Sequence, residues 1–401
     1  LLKDYLVSIA KMDLSLCQKV FENSKLILKQ SDKIINNIYD LLEYALACVY
    51  SCQDVNRLDI AFQIVECLPQ RNNDKIDEKL TQLCDEVDFL ENHLIVVDML
   101  VQYDSPQTPA YIRDLQLNKD HQGTRNLFIK ATRNAAKRDS PLTVNEGIEL
   151  FQNLKEIHDL CFLECIDEDE IYEIFVKHLL TSGRKENFAL ASSYMQLNSE
   201  IKLKKKVIPF EKSVQVVISA AQDYINSSNS IQDESISLAK ECLNLIEEKE
   251  QKKNQQIVDE FDFIDALYLL HDNFPIKMLP IQIRLGPQPR IEIIEKAAKS
   301  SPKAYKKTLN LMKLTQLLRV YNYSTIEYRN GKVLSLIGEI ALEVNDFGHC
   351  HSTCQLIMKD ELEVGWKICQ KLGFCRSFTN DKAKVELLSF ALTYCDDQVG
   401  S

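Results

Sequence analysis

The sequence predicts an all-α chain, an irregular α-solenoid of stacked antiparallel helical hairpins. Three observations carry that expectation. Apolar residues recur at helical spacing along almost the whole chain, and no stretch sustains the two-residue alternation of a strand. Turn formers are scarce, with ten glycines and ten prolines in 401 residues. The usual share of the pair is about 12%, and a sheet protein needs many tight turns. Breaks are short and frequent, as helices joined by brief turns require. No fixed-period consensus recurs, so the array is irregular.

The elements follow in order. Ile34, Ile38, Leu41, Ala45 and Val49 hold one helical face, while Lys33, Asn37 and Asp40 fall away from it. Leu68-Pro69 breaks the pattern. Ile76, Leu80, Leu83, Val87, Leu90, Leu94, Val97 and Val101 then step alternately by four and three, a heptad seam. Such a seam serves an intermolecular coiled coil or a long helix packed within its own chain. Ile95, Val96, Met99 and Leu100 widen the apolar face beyond the seam, which favours burial within the chain. Further breaks fall at Ser105–Pro109, Ser140-Pro141, Ser182-Gly183, Asn226–Ser230, Phe274-Pro275 and Leu285–Pro289.

Val214, Val217, Ile218, Ala221 and Ile225 give the i, i+3, i+4, i+7, i+11 series of an amphipathic helix. Val333, Leu336, Ile337, Ile340, Ala341 and Val344 repeat it, as do Val385, Leu388, Leu392 and Cys395. Ser301-Pro302 sets a capping hydroxyl before a proline suited to a first turn, and Thr379-Asn380-Asp381 precedes the last helix. Gly183, Gly286, Gly348 and Gly373 mark expected helix ends. Asn198–Pro209 is basic and aperiodic, a loop, and Glu247–Gln256 is a solvated helix end or a loop. Residues 1–401 therefore read as one elongated array with breaks near 139–142 and 247–256. Leu1 opens mid-pattern and Ser401 lacks a natural stop, so the expectation is a segment of a longer protein.

Composition excludes several classes. The net charge is −11, which argues against a bulk nucleic-acid binder. No apolar run approaches the ~20 residues of a membrane span, so membrane association is expected to be peripheral. Thirteen cysteines form no regular framework. Most sit inside apolar helical patterns, the usage of a reduced, cytosolic protein.

Catalytic signatures are missing. The glycines are too dispersed for a dinucleotide or phosphate loop, and there is no His-Glu-x-x-His, Gly-x-Ser-x-Gly or Cys-x-x-Cys. Gly348-His349-Cys350-His351-Ser352-Thr353-Cys354 is the richest cluster. On a helix, Cys350, His351 and Cys354 offer three zinc ligands, yet a structural site needs a fourth. Thiols four apart also fill helix interfaces, as at Cys48/Cys52 and Cys161/Cys165. The acidic run Asp167–Glu170 suits a helix N-terminus. Lys202, Lys204, Lys205 and Lys206 are the candidates for contact with an acidic partner or anionic headgroups. Lys296, Lys299, Lys303, Lys306 and Lys307 form a second basic run. Trp366, among Val364, Ile368 and Leu372, reads as core. No catalytic, cofactor-binding or metal residue is assigned.

Five stretches resemble one family. They are Ile171–Leu180 with Arg184–Asn187, Phe210–Ser228, Met278–Leu285, Tyr305–Val320 and Glu386–Cys395. Together they are similar to the secretory-pathway helical domain of the neuroblastoma-amplified sequence family, which includes the yeast secretory subunit of the Dsl tether. The resemblance runs from about Leu41 to Cys395 and rests on the order and number of packing motifs. It implies an irregular α-solenoid without enzymatic activity or cofactor. It implies a subunit of an endoplasmic-reticulum complex that captures Golgi-derived vesicles, cytoplasmic and peripheral to that membrane. The implied partners are the Zeste-white-ten protein, the Rad-fifty-interacting protein and SNAREs of the endoplasmic reticulum. A link to nonsense-mediated mRNA decay is attributed to the same family. No contact residue carries over, and the Asn198–Pro209 loop is unlike that of relatives. The competing readings are a kinetochore scaffold of the Rough Deal type, a zinc-dependent enzyme built on His349–Cys354, and RNA binding by the lysine runs.

Overall fold

The computed structural model describes residues 1–25, 27–69, 78–138, 140–199, 207–287, 290–322 and 324–395. These residues are all-α. They form twenty-one α-helices, a few short 3₁₀ turns and one π-turn, with no strand beyond a single bridge between Met195 and Ile208. The chain divides into two compact units, Leu1–Val216 and the residues from Val217 onward.

The first unit holds α1 (Leu2–Ala10), α2 (Leu14–Glu22), α3 (Ile38–Ser51), α4 (Leu58–Val65), α5 (Glu78–Val101), α6 (Pro109–Leu117), α7 (His121–Ala136), α8 (Val144–Ile157), α9 (Glu168–Leu180) and α10 (Glu186–Ser192). The boundary falls inside α11 (Phe210–Ser227). Polar side chains cap five of these starts, at α2, α3, α6, α7 and α8. The Asp13 carboxylate accepts from the Ser15 N–H at 3.0 Å, and the Asn37 amide oxygen from Tyr39 at 3.0 Å. Thr143 and Glu146 form a reciprocal capping box at the start of α8. Pro109 occupies the first turn of α6 behind the Thr108 cap.

Packing in this unit is local. α1 and α2 pack on α3 and α4, α3 and α4 pack on α5, and α7 packs on α9. Leu83, Val87, Leu90, Leu94 and Val97 of the heptad seam are buried against these neighbours, and Leu80 is partly buried. Val101 is exposed, and Ile76 lies outside the described residues. Val96 and Leu100 are fully buried as well, so α5 is a core helix of its own chain. Phe151 of α8 centres an aromatic cluster, 4.6 Å from Tyr172, 5.0 Å from Phe175 and 4.9 Å from Tyr194.

The second unit holds α12 (Glu234–Leu243), α13 (Glu248–Gln251), α14 (Gln255–Asn273), α15 (Pro280–Arg284), α16 (Ile291–Lys299), α17 (Thr308–Leu317), α18 (Ile326–Glu343), α19 (Phe347–Lys359), α20 (Trp366–Gly373) and α21 (Asp381–Tyr394). α12 packs on α14, α14 on α17, α16 on α18, α18 on α19 and α20, and α20 on α21. Two glycines of α18 allow close approach. A Cβ on Gly331 would stand 2.4 Å from Val364, and one on Gly338 would stand 2.8 Å from Ile368. Val214, Val217, Ile218, Ala221 and Ile225 of α11 are all buried, as their spacing requires.

The structure corrects several element readings. Ile34 is half-exposed and precedes α3, because the Asn37 cap starts that helix three residues later than the apolar pattern does. Val344 lies exposed at the C-cap of α18. Ser301-Pro302 leads only into a 3₁₀ turn, Ala304–Lys306. Val385 and Leu392 of α21 are exposed, whereas Ala383, Leu387 and Ala391 are buried. Small side chains mark the true contact face there. Trp366 is only partly buried, beside fully buried Ile368 and Leu372. Glu247–Gln256 holds a helical turn, with Glu250 buried and paired to Lys253 at 3.0 Å, and the Asn254 cap that starts α14.

Candidate protein-docking groove

A concavity of the first unit lies where α5, α6 and the end of α8 converge. α8 runs into a π-turn, His158–Phe162. Such turns recur at functional positions because they re-aim side chains. The buried His158 ring locks this one, its Nε2–H donating to the Ile166 carbonyl at 3.0 Å. The turn sends Cys161 and Phe162 inward, with Phe162 set 6.1 Å from Phe128, and leaves Leu163 65% exposed. α5 leaves Phe89 52% exposed, and Leu117, the last residue of α6, is 66% exposed. These three apolar side chains border a groove of about 630 Å³.

The floor is polar and satisfied. The His93 ring lies between Tyr50 and Gln116. The Tyr50 hydroxyl donates to Nδ1 at 2.8 Å, and Nε2–H donates to the Gln116 amide oxygen at 2.7 Å. Burial holds the His93 pKa below the ordinary imidazole value, so the ring is neutral. The Arg113 guanidinium stacks over the Tyr50 ring at 4.4 Å. Lys119 closes one side of the rim by pairing with Glu164 at 2.6 Å. Burial pushes the Cys161 thiol up to about 12, so it stays protonated. Both nitrogens of His93 are already used, and burial raises the pKa of both lining thiols, Cys161 and Cys165, which keeps them protonated. The arrangement sets exposed apolar side chains around a polar, hydrogen-bonded floor, the mixture found at protein interfaces.

The sequence candidates lie elsewhere. Lys202, Lys204, Lys205 and Lys206 lie outside the described residues. The described residues on either side of them meet at the Met195–Ile208 bridge, where the Gln196 N–H donates to the Ile208 carbonyl at 3.0 Å. The second lysine run is largely engaged within the fold. Lys299 pairs with Glu295 at 2.9 Å, Lys306 with Asp346 at 2.6 Å, and Lys307 donates to the Asn273 carbonyl at 2.8 Å.

The His349–Cys354 cluster does not converge. Cys350 and Cys354 point into the core of α19, where the Cys354 thiol meets Cys350 and Cys369 and is pushed up out of the ordinary thiol range. The His349 ring turns to the Thr308 hydroxyl at 3.3 Å, and the His351 ring to Phe378 at 5.5 Å. Among the described residues no group of three or more metal-binding side chains is close enough to hold an ion. In the acidic run, Glu168 pairs with Lys155 at 2.8 Å and Glu170 with His121 at 3.1 Å. Phe89, Leu117 and Leu163 carried no motif. The only available signal was an apolar residue out of phase with its own helix.

Residues 3–391 match the sequence pattern of the family described as Secretory pathway protein Sec39. The Homo sapiens protein named NBAS subunit of NRZ tethering complex is 34% identical, across 98% of this chain and 17% of its own length. The Arabidopsis thaliana protein named MAG2-interacting protein 2 is 24% identical, across 97% of this chain and 15% of its own. The chain thus spans a minor part of the curated relatives it matches.

Proposed function

The chain belongs to the Secretory pathway protein Sec39 family, and from that premise we propose that it is a non-enzymatic scaffold segment of a vesicle-tethering complex. The observation that carries this reading is the alignment of the human tether subunit across 98% of the chain. The helix packing agrees with it. Helices touch neighbours one to three places along the chain, and local contact of this kind is how a repeat array builds an extended surface. We read residues 1–401 as one continuous α-solenoid on that basis.

In finer terms, the scaffold acts in Golgi-to-ER retrograde transport. It sits on the cytoplasmic side of the endoplasmic reticulum, held there by partners. None of the described helices is long and apolar enough to cross a membrane. The partners are the Zeste-white-ten protein, the Rad-fifty-interacting protein and SNAREs of the endoplasmic reticulum. The Lys202, Lys204, Lys205 and Lys206 run makes an accessory contact with an acidic partner.

The test is reconstitution. The purified 401-residue chain is mixed in turn with each tether subunit and with SNARE cytosolic domains, and complexes are resolved by size exclusion. Co-elution with at least one of them is expected. Changing Lys202, Lys204, Lys205 and Lys206 together to Glu is expected to weaken that complex. Co-elution with kinetochore subunits alone would overturn the reading.

A further inference from the structure

We propose that the groove between Phe89, Leu117 and Leu163 receives a single amphipathic helix of a partner protein, one whose apolar face is flanked by Lys or Arg. This rests on the scaffold reading and names the class of ligand that one of its surfaces takes.

Three features of the groove point to that occupant. The first is apolar convergence. Phe89 comes from α5, Leu117 from α6, and Leu163 from the segment after the π-turn, and all three border the same 630 Å³. Three anchors from separate elements match side chains spaced at i, i+3 or i+4, and i+7 on an incoming helix. The second is the sign of the available charge. Of the two bases in the lining, Lys119 pairs with Glu164, and Arg113 lies over the Tyr50 ring and keeps its charge. Glu86 lines the groove, and no ion pair of the described residues includes it. Asp159, 61% exposed, uses one oxygen toward His158 and turns the rest to solvent. The lining thus carries three carboxylates, Glu86, Asp159 and Glu164, against two bases, and this negative balance selects a basic flank and disfavours phosphate-bearing surfaces. The third is the absence of a sheet edge. The described residues contain no strand onto which an extended peptide could add.

The energetics agree. Exposed aromatic and aliphatic anchors in a concave site carry most of the affinity, and rim charges set orientation and partner choice.

The experiment uses the 401-residue chain and two labelled synthetic helices of about five turns. One carries Leu at i, i+3, i+4 and i+7 with flanking Lys, and its twin has Glu in place of every Lys. Fluorescence anisotropy at physiological salt is expected to show the basic helix binding at least about tenfold tighter than the acidic one. Phe89→Ala combined with Leu163→Ser is expected to weaken the basic helix by about tenfold or more. Both side chains are exposed, so the circular dichroism spectrum and Tm should not move. Glu86→Lys with Asp159→Lys is expected to reverse the preference toward the acidic helix. Equal binding of both helices, or no response to the groove variants, would overturn the proposal. So would concentration-dependent self-association abolished by Leu163→Ser, since the face would then belong to a second copy. Tether subunits that still co-elute while the groove variants bind the basic helix unchanged would remove the groove and leave the scaffold. Loss of all tether partners, with charge-selective helix binding intact, would do the reverse.

Discussion

Asp346 joins two roles in one carboxylate. Oδ1 accepts from the His349 N–H at 3.1 Å and caps α19, while Oδ2 accepts from the Tyr305 hydroxyl at 2.9 Å and Lys306 at 2.6 Å. The Lys306 ammonium, then the His349 N–H, hold its pKa down at about 2. A depressed carboxylate stabilises the fold above its unfolded value of 3.8 and loses that contribution as pH falls through about 2. Asp346→Ala is expected to cost about 1 kcal/mol at neutral pH, the usual loss of a cap, read by denaturant unfolding. His178 works at milder pH. Burial first, then Lys177 and Arg133, lowers its pKa from 6.5 to about 4. The folded state keeps the ring neutral, so stability is complete above about pH 6.5 and declines as pH falls toward 4. The difference is worth at most about 3 kcal/mol. The fall in Tm between pH 7 and pH 5 should be smaller in His178→Gln than in the unaltered chain; equal falls would remove His178 as the cause.

At the scale of elements, α5 and α21 show why an apolar pattern reads well in one helix and poorly in another. α5 meets α3, α4 and α6 through large side chains, so its seam names its buried face. Leu94→Ala is expected to cost about 2–5 kcal/mol, because Leu94 is wholly buried and its removal leaves a cavity. α21 instead meets α20 through Ala383, Leu387 and Ala391. A Cβ on Gly373 would lie 2.7 Å from Leu388, so backbone and side chain are already in close contact there. Val385→Ser and Leu392→Ser are expected to stay within about 0.5 kcal/mol of the parent, while Leu387→Ala destabilises by several times that. Periodicity weighted by side-chain size chooses the wrong stripe when the contact is made by alanine and glycine.

For the whole molecule, the continuous-solenoid reading makes a dimensional prediction. A compact chain of 401 residues has a radius of gyration of about 21 Å. Small-angle scattering of the purified chain should give a clearly larger value; a value near the compact one would remove the extended-array reading. The net charge of −11 and the lysines already held by Glu295, Asp346 and the Asn273 carbonyl argue for weak RNA retention at physiological salt. Strong salt-dependent retention would restore the RNA-binding reading.

The sequence alone determined the helical class, the start of the last helix and the family. Helical periodicity and a cap such as Asn380 act over a few residues, and the chain order of packing motifs survives where single residues drift. Only the tertiary structure decided which cysteines point inward at Cys350 and Cys354, and which lysines are tied up by acids from other helices. It alone brought Phe89, Leu117 and Leu163 to one groove, from positions 89, 117 and 163 of the chain. Helix propensity is written locally, whereas a docking surface depends on how separate helices and a π-turn pack, and that arrangement has no spacing in the sequence.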